Sequence, residues 1–157
     1  WKDVERVYPL QIMTWHEIAN DVVAGDPLLI TYCPLCGSGI AYERHVIIGD
    51  KGFITRFGTS GKLYNSNLVM YDEKTDSYWT QIDGKAIVGE LVGQELKEIS
   101  IDTVTWKDWK DNHPDSEVSV SYDDPVLSID WPLVNNQKPS LSAKDAEAVS
   151  FVNAPKF

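Results

Sequence analysis

The sequence predicts a mainly β (α+β) fold, an antiparallel meander or barrel-like sheet with two or three short helices at its ends. Three observations carry this. Between residues 28 and 89, short runs rich in β-branched and aromatic residues alternate in polarity and are parted by Gly, Asn and Asp. Asp83-Gly84 stands between two of these runs as a two-residue hairpin loop. Helix-start chemistry is confined to the flanks of this region, at Thr14, Thr105 and Ser142.

Taken in order, Thr14-Trp15-His16-Glu17 has the S/T-x-x-E form in which hydroxyl and carboxylate satisfy free N–H groups at a helix start. Ile18 and Val22 follow one turn apart and Gly25 with Pro27 supplies a stop, so a helix is expected over 15–23. Strands are expected at 28–32, 40–48, 53–57, 68–72, 78–82 and 85–88. Gly49-Asp50-Lys51-Gly52 reads as a loose hairpin loop, and Asp83-Gly84 as type I′, which needs positive φ at both positions. Thr105-Trp106-Lys107-Asp108 opens a second helix over 106–111, closed by Asn112, His113 and Pro114, and both helices are expected to pack on the sheet. Ser142-Ala143-Lys144-Asp145 opens a third, ending near Val149.

Composition shifts near Val120. The stretch from Ser121 to Phe157 holds four of the eight prolines and no glycine. The expected organisation is a β-rich domain over 1–120 and an extended C-terminal arm over 121–157, packed on that domain or on a neighbouring chain.

The net charge of −10, from 24 acidic against 14 basic residues, repels phosphate backbones, so nucleic acid is not an expected partner. No apolar run approaches the ~20 residues that a membrane-spanning helix needs. A protein partner or a homo-oligomer formed through the C-terminal arm is the expected association. The chain opens at Trp1 rather than Met, which leaves room for a leader or anchor ahead of it.

The one concentrated piece of chemistry is Cys33-Pro34-Leu35-Cys36-Gly37. Two intervening residues let one tight turn bring both sulfurs together, and a C-P-x-C-G turn can fold as the knuckle that holds thiolates on a soft or borderline metal, copper or zinc. Two cysteines make half a site. His16 and Met70 are the candidate completing ligands, each with a plainer reading as a first-turn polar residue and a core filler. His45 lies roughly 20 Å from Cys36 along an extended strand, and His113 reads as a helix-end residue. Thiol–disulfide chemistry is the rival, although a strand rather than an activating helix follows the pair. A structural pair without function is the third reading. No catalytic residue is assigned, and a non-enzymatic metal-binding or redox-accessory domain is expected.

Other patterns fall away. Residues 57–62 lack the phosphate-loop spacing and read as a Gly-rich turn. Asp72, Glu73 and Asp76 read as a solvated acidic turn rather than a calcium loop. Trp15, Trp79, Trp106 and Trp109 read as core.

Three ordered stretches carry a specific likeness: Ile30-Thr31-Tyr32-Cys33-Pro34-Leu35-Cys36-Gly37-Ser38-Gly39, the run from Phe57 to Asp72 containing Gly58-Thr59-Ser60-Gly61-Lys62 and Asn65-Ser66-Asn67, and the run from Tyr78 to Gly89 containing Trp79-Thr80-Gln81. Over about residues 8–118 the chain resembles the family known as domain of unknown function 3179, found in bacteria and archaea. The resemblance lends no activity, and its often exported members imply an extracytoplasmic or secreted location, with the cytoplasm as the alternative. Tyr122-Asp123-Asp124-Pro125, Ile129-Asp130-Trp131-Pro132 and Leu141-Ser142-Ala143-Lys144-Asp145 resemble instead the C-terminal end of dTDP-4-dehydrorhamnose 3,5-epimerases, jelly rolls that act on nucleotide sugars. That likeness implies a His base and a Tyr acid, whose motifs are not visible in residues 1–120. Only Asp145 matches, as the aspartate that orients the His, so no epimerase activity is expected.

Overall fold

The computed structural model describes residues 1–114. Residues 1–103 form one compact unit and Val104 begins a second. The expected arm over 121–157 and the helix from Ser142 lie outside the described residues.

The first unit is built from helix α1 (Leu10–His16) and ten strands: β1 (Ile18–Val23), β2 (Asp26–Cys33), β3 (Ser38–Glu43), β4 (His45–Ile48), β5 (Lys51–Ile54), β6 (Phe57–Tyr64), β7 (Asn67–Asp72), β8 (Tyr78–Thr80), β9 (Ala86–Val88) and β10 (Glu98–Ile99). All pairings between these strands are antiparallel. They form two four-stranded sheets, β1-β2-β3-β10 and β6-β7-β8-β9, and the hairpin β4-β5. The predicted β-rich α+β class holds, with meandering sheets that do not close into a barrel.

The central strand β2 is buried on both faces, so it reads as a continuous apolar run rather than an alternation. Leu28 and Ile30 join Met13 of α1, Val23, Ala41 and Ile99 in one core. Leu29 and Cys33, on the opposite face, join Tyr42, Phe57, Leu68, Met70 and Trp79 in a second core between the two large sheets. The sheets are also stitched at an edge. Asn20 of β1 donates to the Phe57 carbonyl and accepts from the Phe57 N–H, both at 2.8 Å, so one side-chain amide stands in for a strand partner.

The helix expected over 15–23 is a correction. The helix ends at His16 because Glu17 turns left-handed at φ 57°. Thr14 does not cap; its hydroxyl donates back to the Leu10 carbonyl at 2.7 Å. Residues 18–23 pair with β2, and Ala24-Gly25, both at positive φ, make a two-residue hairpin loop where a helix stop was expected.

The long strand expected at 40–48 breaks at Arg44, which carries the chain from the first large sheet into the β4-β5 hairpin. Its buried guanidinium donates to the carbonyls of Leu28, Thr55 and Asp21 at 2.8, 3.0 and 2.9 Å, which fixes the corner. The run 53–57 divides likewise between β5 and β6.

Turn chemistry moved as well. Asp83-Gly84 is the end of a four-residue loop, Gln81-Ile82-Asp83-Gly84, in which only Gly84 has positive φ. Positive φ at both positions of a two-residue loop is found instead at Ala24-Gly25 and at Asn65-Ser66, between β6 and β7. Gly49-Asp50 closes β4-β5 with positive φ at Gly49 alone. Residues 57–62 are strand with a bulge between Thr59 and Lys62 rather than a turn. Asp72 is buried, not solvated: it accepts from the Lys74 and Thr75 amides and from Trp79 Nε1. Of the four tryptophans read as core only Trp79 is fully enclosed, while Trp15 is 79% exposed.

In the second unit α2 (Trp106–Asn112) stands where the sequence places it, with the Thr105 hydroxyl accepting from the Asp108 N–H at 3.1 Å. His113 occupies the C-cap and stacks on Trp109, ring centroids 3.9 Å apart. Among the described residues no helix is long and apolar enough to cross a membrane.

Candidate functional site

Cys33 is the last residue of β2 and Ser38 the first of β3, so Pro34-Leu35-Cys36-Gly37 is a four-residue hairpin loop. The amides of Cys36 and Gly37 both donate to the Cys33 carbonyl, at 3.2 and 2.8 Å, and Gly37 supplies the left-handed residue that lets β3 re-enter the sheet. The loop Gln81-Ile82-Asp83-Gly84 has the same plan, with the Gly84 amide donating to the Thr80 carbonyl and Gly84 left-handed at its fourth position.

Both cysteines are free thiols, their sulfurs 2.7 Å apart. Their surroundings differ sharply. Cys33 is buried in the second core; Cys36 is exposed, next to the exposed Leu35. Burial pushes the Cys33 thiol above its ordinary value and the Cys36 hydrogen bond adds to that, while the backbone amides of Leu68 and Cys36 oppose it. The Cys36 thiol is held below the ordinary thiol range, first by the Cys33 hydrogen bond and then by Asn67, with Ser38 contributing. The pair therefore has a polarity: of the two thiols Cys36 is the one that ionises more readily, with Cys33 as its hydrogen-bond partner. As a thiol, Cys36 instead donates to the Ser66 carbonyl at 3.3 Å.

Behind the sulfurs lies a chain of buried polar groups. Asn67 Nδ2 reaches Cys36 Sγ at 3.3 Å and Gln81 Oε1 at 2.8 Å. The Gln81 side chain is wholly enclosed; its Nε2 donates to Thr31 Oγ1 at 3.0 Å and to the Ser38 carbonyl at 3.2 Å. Thr31 Oγ1 in turn donates to the Ile40 carbonyl, and Tyr42 Oη donates to the Gln81 carbonyl. One acceptor is left over: Asn67 Oδ1 is buried without a partner among the described residues.

Of the residues singled out in the sequence, Cys33 and Cys36 meet. Met70 is fully enclosed in the core that contains Cys33. His16 ends α1, two residues before Ile18, which pairs with Thr31. Among the described residues, no group of three or more His, Cys, Asp or Glu side chains is gathered as metal ligands need to be. Asn67, Gln81, Thr31 and Ser38 went unassigned. Their signal was present, since the three stretches that carry the family likeness supply all of them and meet here.

Comparison with known proteins gives one short and one extensive match. Two dTDP-4-dehydrorhamnose 3,5-epimerases of Mycobacterium tuberculosis, strains CDC 1551 / Oshkosh and ATCC 25618 / H37Rv, are each 49% identical over 39 residues, 25% of this chain. The chain spans about a fifth of their length, 19%. No solved structure matches. A family-level match covers residues 1–142, nine tenths of the sequence, well past the limit near 118 that the motifs indicated, and the chain belongs to the family described as "Protein of unknown function (DUF3179)".

Proposed function

We propose that the domain is a redox-accessory module whose Cys33–Cys36 pair exchanges electrons with a thiol or disulfide of a partner protein. The observation that carries this reading is the division between an exposed Cys36, whose thiol is held below its ordinary range, and a buried Cys33, whose thiol is pushed above it. In the reducing direction the Cys36 thiolate attacks a partner disulfide, forming a mixed disulfide and releasing one partner thiolate. Cys33 then loses its proton and attacks Cys36 Sγ, closing the Cys33–Cys36 disulfide and releasing the second partner thiol. The partner is reduced by two electrons and the module oxidised by two. An exposed attacking sulfur and a sheltered resolving sulfur are what such a sequence requires.

A metal role has weaker geometric support. Two sulfurs are half of a tetrahedral zinc site, and among the described residues no group of three or more His, Cys, Asp or Glu side chains is gathered to complete it. The amides of Leu68 and Cys36 directed at Cys33 are the feature in its favour.

The test compares the parent with Cys33→Ser/Cys36→Ser. The redox reading expects the parent to equilibrate with glutathione and to trap a mixed disulfide at Cys36 when Cys33 alone is replaced. Titration with Cu(I) or Zn(II) runs alongside. Tight uptake of one ion by the parent, lost in the double variant, together with no glutathione equilibrium, overturns the redox reading in favour of the metal one.

A further inference from the structure

We propose that Gln81 is a positioning residue for Cys36, acting through Asn67: it fixes which face of the Asn67 amide meets the sulfur, and so adds a fixed N–H donor to the support that Cys33 gives Cys36 as the attacking atom. The inference supplies a second source of the polarity on which the redox reading depends, beside the Cys33–Cys36 bond itself, and it rests on that reading for its purpose.

The argument starts at a group that cannot change sides. The Ser38 carbonyl only accepts, and it lies 3.2 Å from Gln81, so the Gln81 atom facing it must be the NH2. The Gln81 oxygen is thereby turned toward Asn67, 2.8 Å away. An oxygen there requires a donor, so Asn67 presents its own NH2. The same NH2 is the group 3.3 Å from Cys36 Sγ. A backbone carbonyl thus sets the amide of Gln81, Gln81 sets the amide of Asn67, and Cys36 receives an N–H.

Rotating the Asn67 amide by half a turn would set oxygen against oxygen at Gln81. The orphan on the far side shows that this constraint prevails. Among the described residues no donor meets the buried Asn67 Oδ1, a state that buried polar groups seldom accept. The amide is held donor-first toward Gln81 and Cys36 in spite of it.

The positioning role is tested by alkylation of Cys36 with iodoacetamide at a fixed neutral pH and by the reduction potential of the Cys33–Cys36 disulfide against glutathione. Asn67→Ala should slow Cys36 alkylation about tenfold, the scale of one charge-assisted hydrogen bond. The disulfide should become more reducing by about 30 mV, the same factor for a two-electron couple. Gln81→Met should reproduce most of both changes and add nothing in the Asn67→Ala background. Additive effects in the double variant, or parental values in Gln81→Met, overturn the proposal. Asn67→Asp, which swaps the donor for an oxygen at constant shape, carries the test if Gln81→Met does not fold: a parental alkylation rate there also overturns it. Alkylation needs no partner, so the relay can stand if the module proves not to equilibrate with glutathione, and the two failures are separable.

Discussion

Cys36 and Cys33 lie one turn apart and share a hydrogen bond, yet one faces solvent and the other a core of Trp79, Met70 and Leu68. Because the Cys36 thiol sits below its ordinary range, its charged form is favoured by folding. The linked stability is present above the unfolded thiol pKa and is lost as pH falls through the folded one. Alkylation should follow the same sign. Cys36 should react first, and at a pH where an unperturbed thiol is still protonated. Cys33→Ala should move that profile upward by removing the thiol that hydrogen-bonds Cys36, whereas Cys33→Ser, which keeps a hydroxyl, should move it less. Mass spectrometry of single labelling events across a pH series checks both. Equal labelling of the two cysteines would contradict the assignment. The cysteine pair was legible in the sequence because no other feature competes with it. The family-likeness stretches contain Asn67 and Gln81 but do not single them out, because a polar residue beside a turn reads as solvent-facing until the opposing loop is placed over it.

Strand pairing, not local propensity, decided the elements that the sequence misassigned. Residues 14–25 contain a capping-box pattern, a one-turn apolar pair and a glycine stop, all consistent with a helix. The outer edge of β2 nevertheless takes residues 18–23 as a partner and leaves the helix to residues 10–16. The strands 68–72 and 85–88 were legible because each is a short apolar run between strong turn signals. The break at Arg44 was not, since a buried Arg satisfied by three carbonyls has no pattern in a single sequence. At the same scale, Gly89, just after β9, packs against Ser77, just before β8. A Cβ there would stand 2.7 Å from Ser77 Cα, at φ +104°. Ser77 also carries the hydroxyl that accepts from the Leu91 N–H. Gly89→Ala should therefore destabilise the unit by about 2–4 kcal/mol, combining backbone strain and overpacking. Chemical denaturation measures this, and a midpoint within error of the parent would show that the segment yields.

Over the whole unit, two apolar cores share one sheet, so β2 is the element that neither core can lose. The cysteine loop hangs from the end of that strand, which gives a reactive pair a rigid base. The short likeness to nucleotide-sugar epimerases does not alter this picture, since among the described residues the groups that hydrogen-bond Cys33 and Cys36 lie within residues 1–103. The bond between Asn20 and Phe57 has a different consequence, one of time. The hairpins on either side of it close locally, but this contact joins residues 37 apart and requires both large sheets to exist first. It belongs late on the folding route, after the rate-limiting barrier. Replacing Asn20 with Ala should then leave the refolding limb of a chevron plot close to the parent and raise the unfolding limb, giving a φ-value near zero. A refolding rate that falls in step with stability would instead place the joining of the two sheets within the transition state.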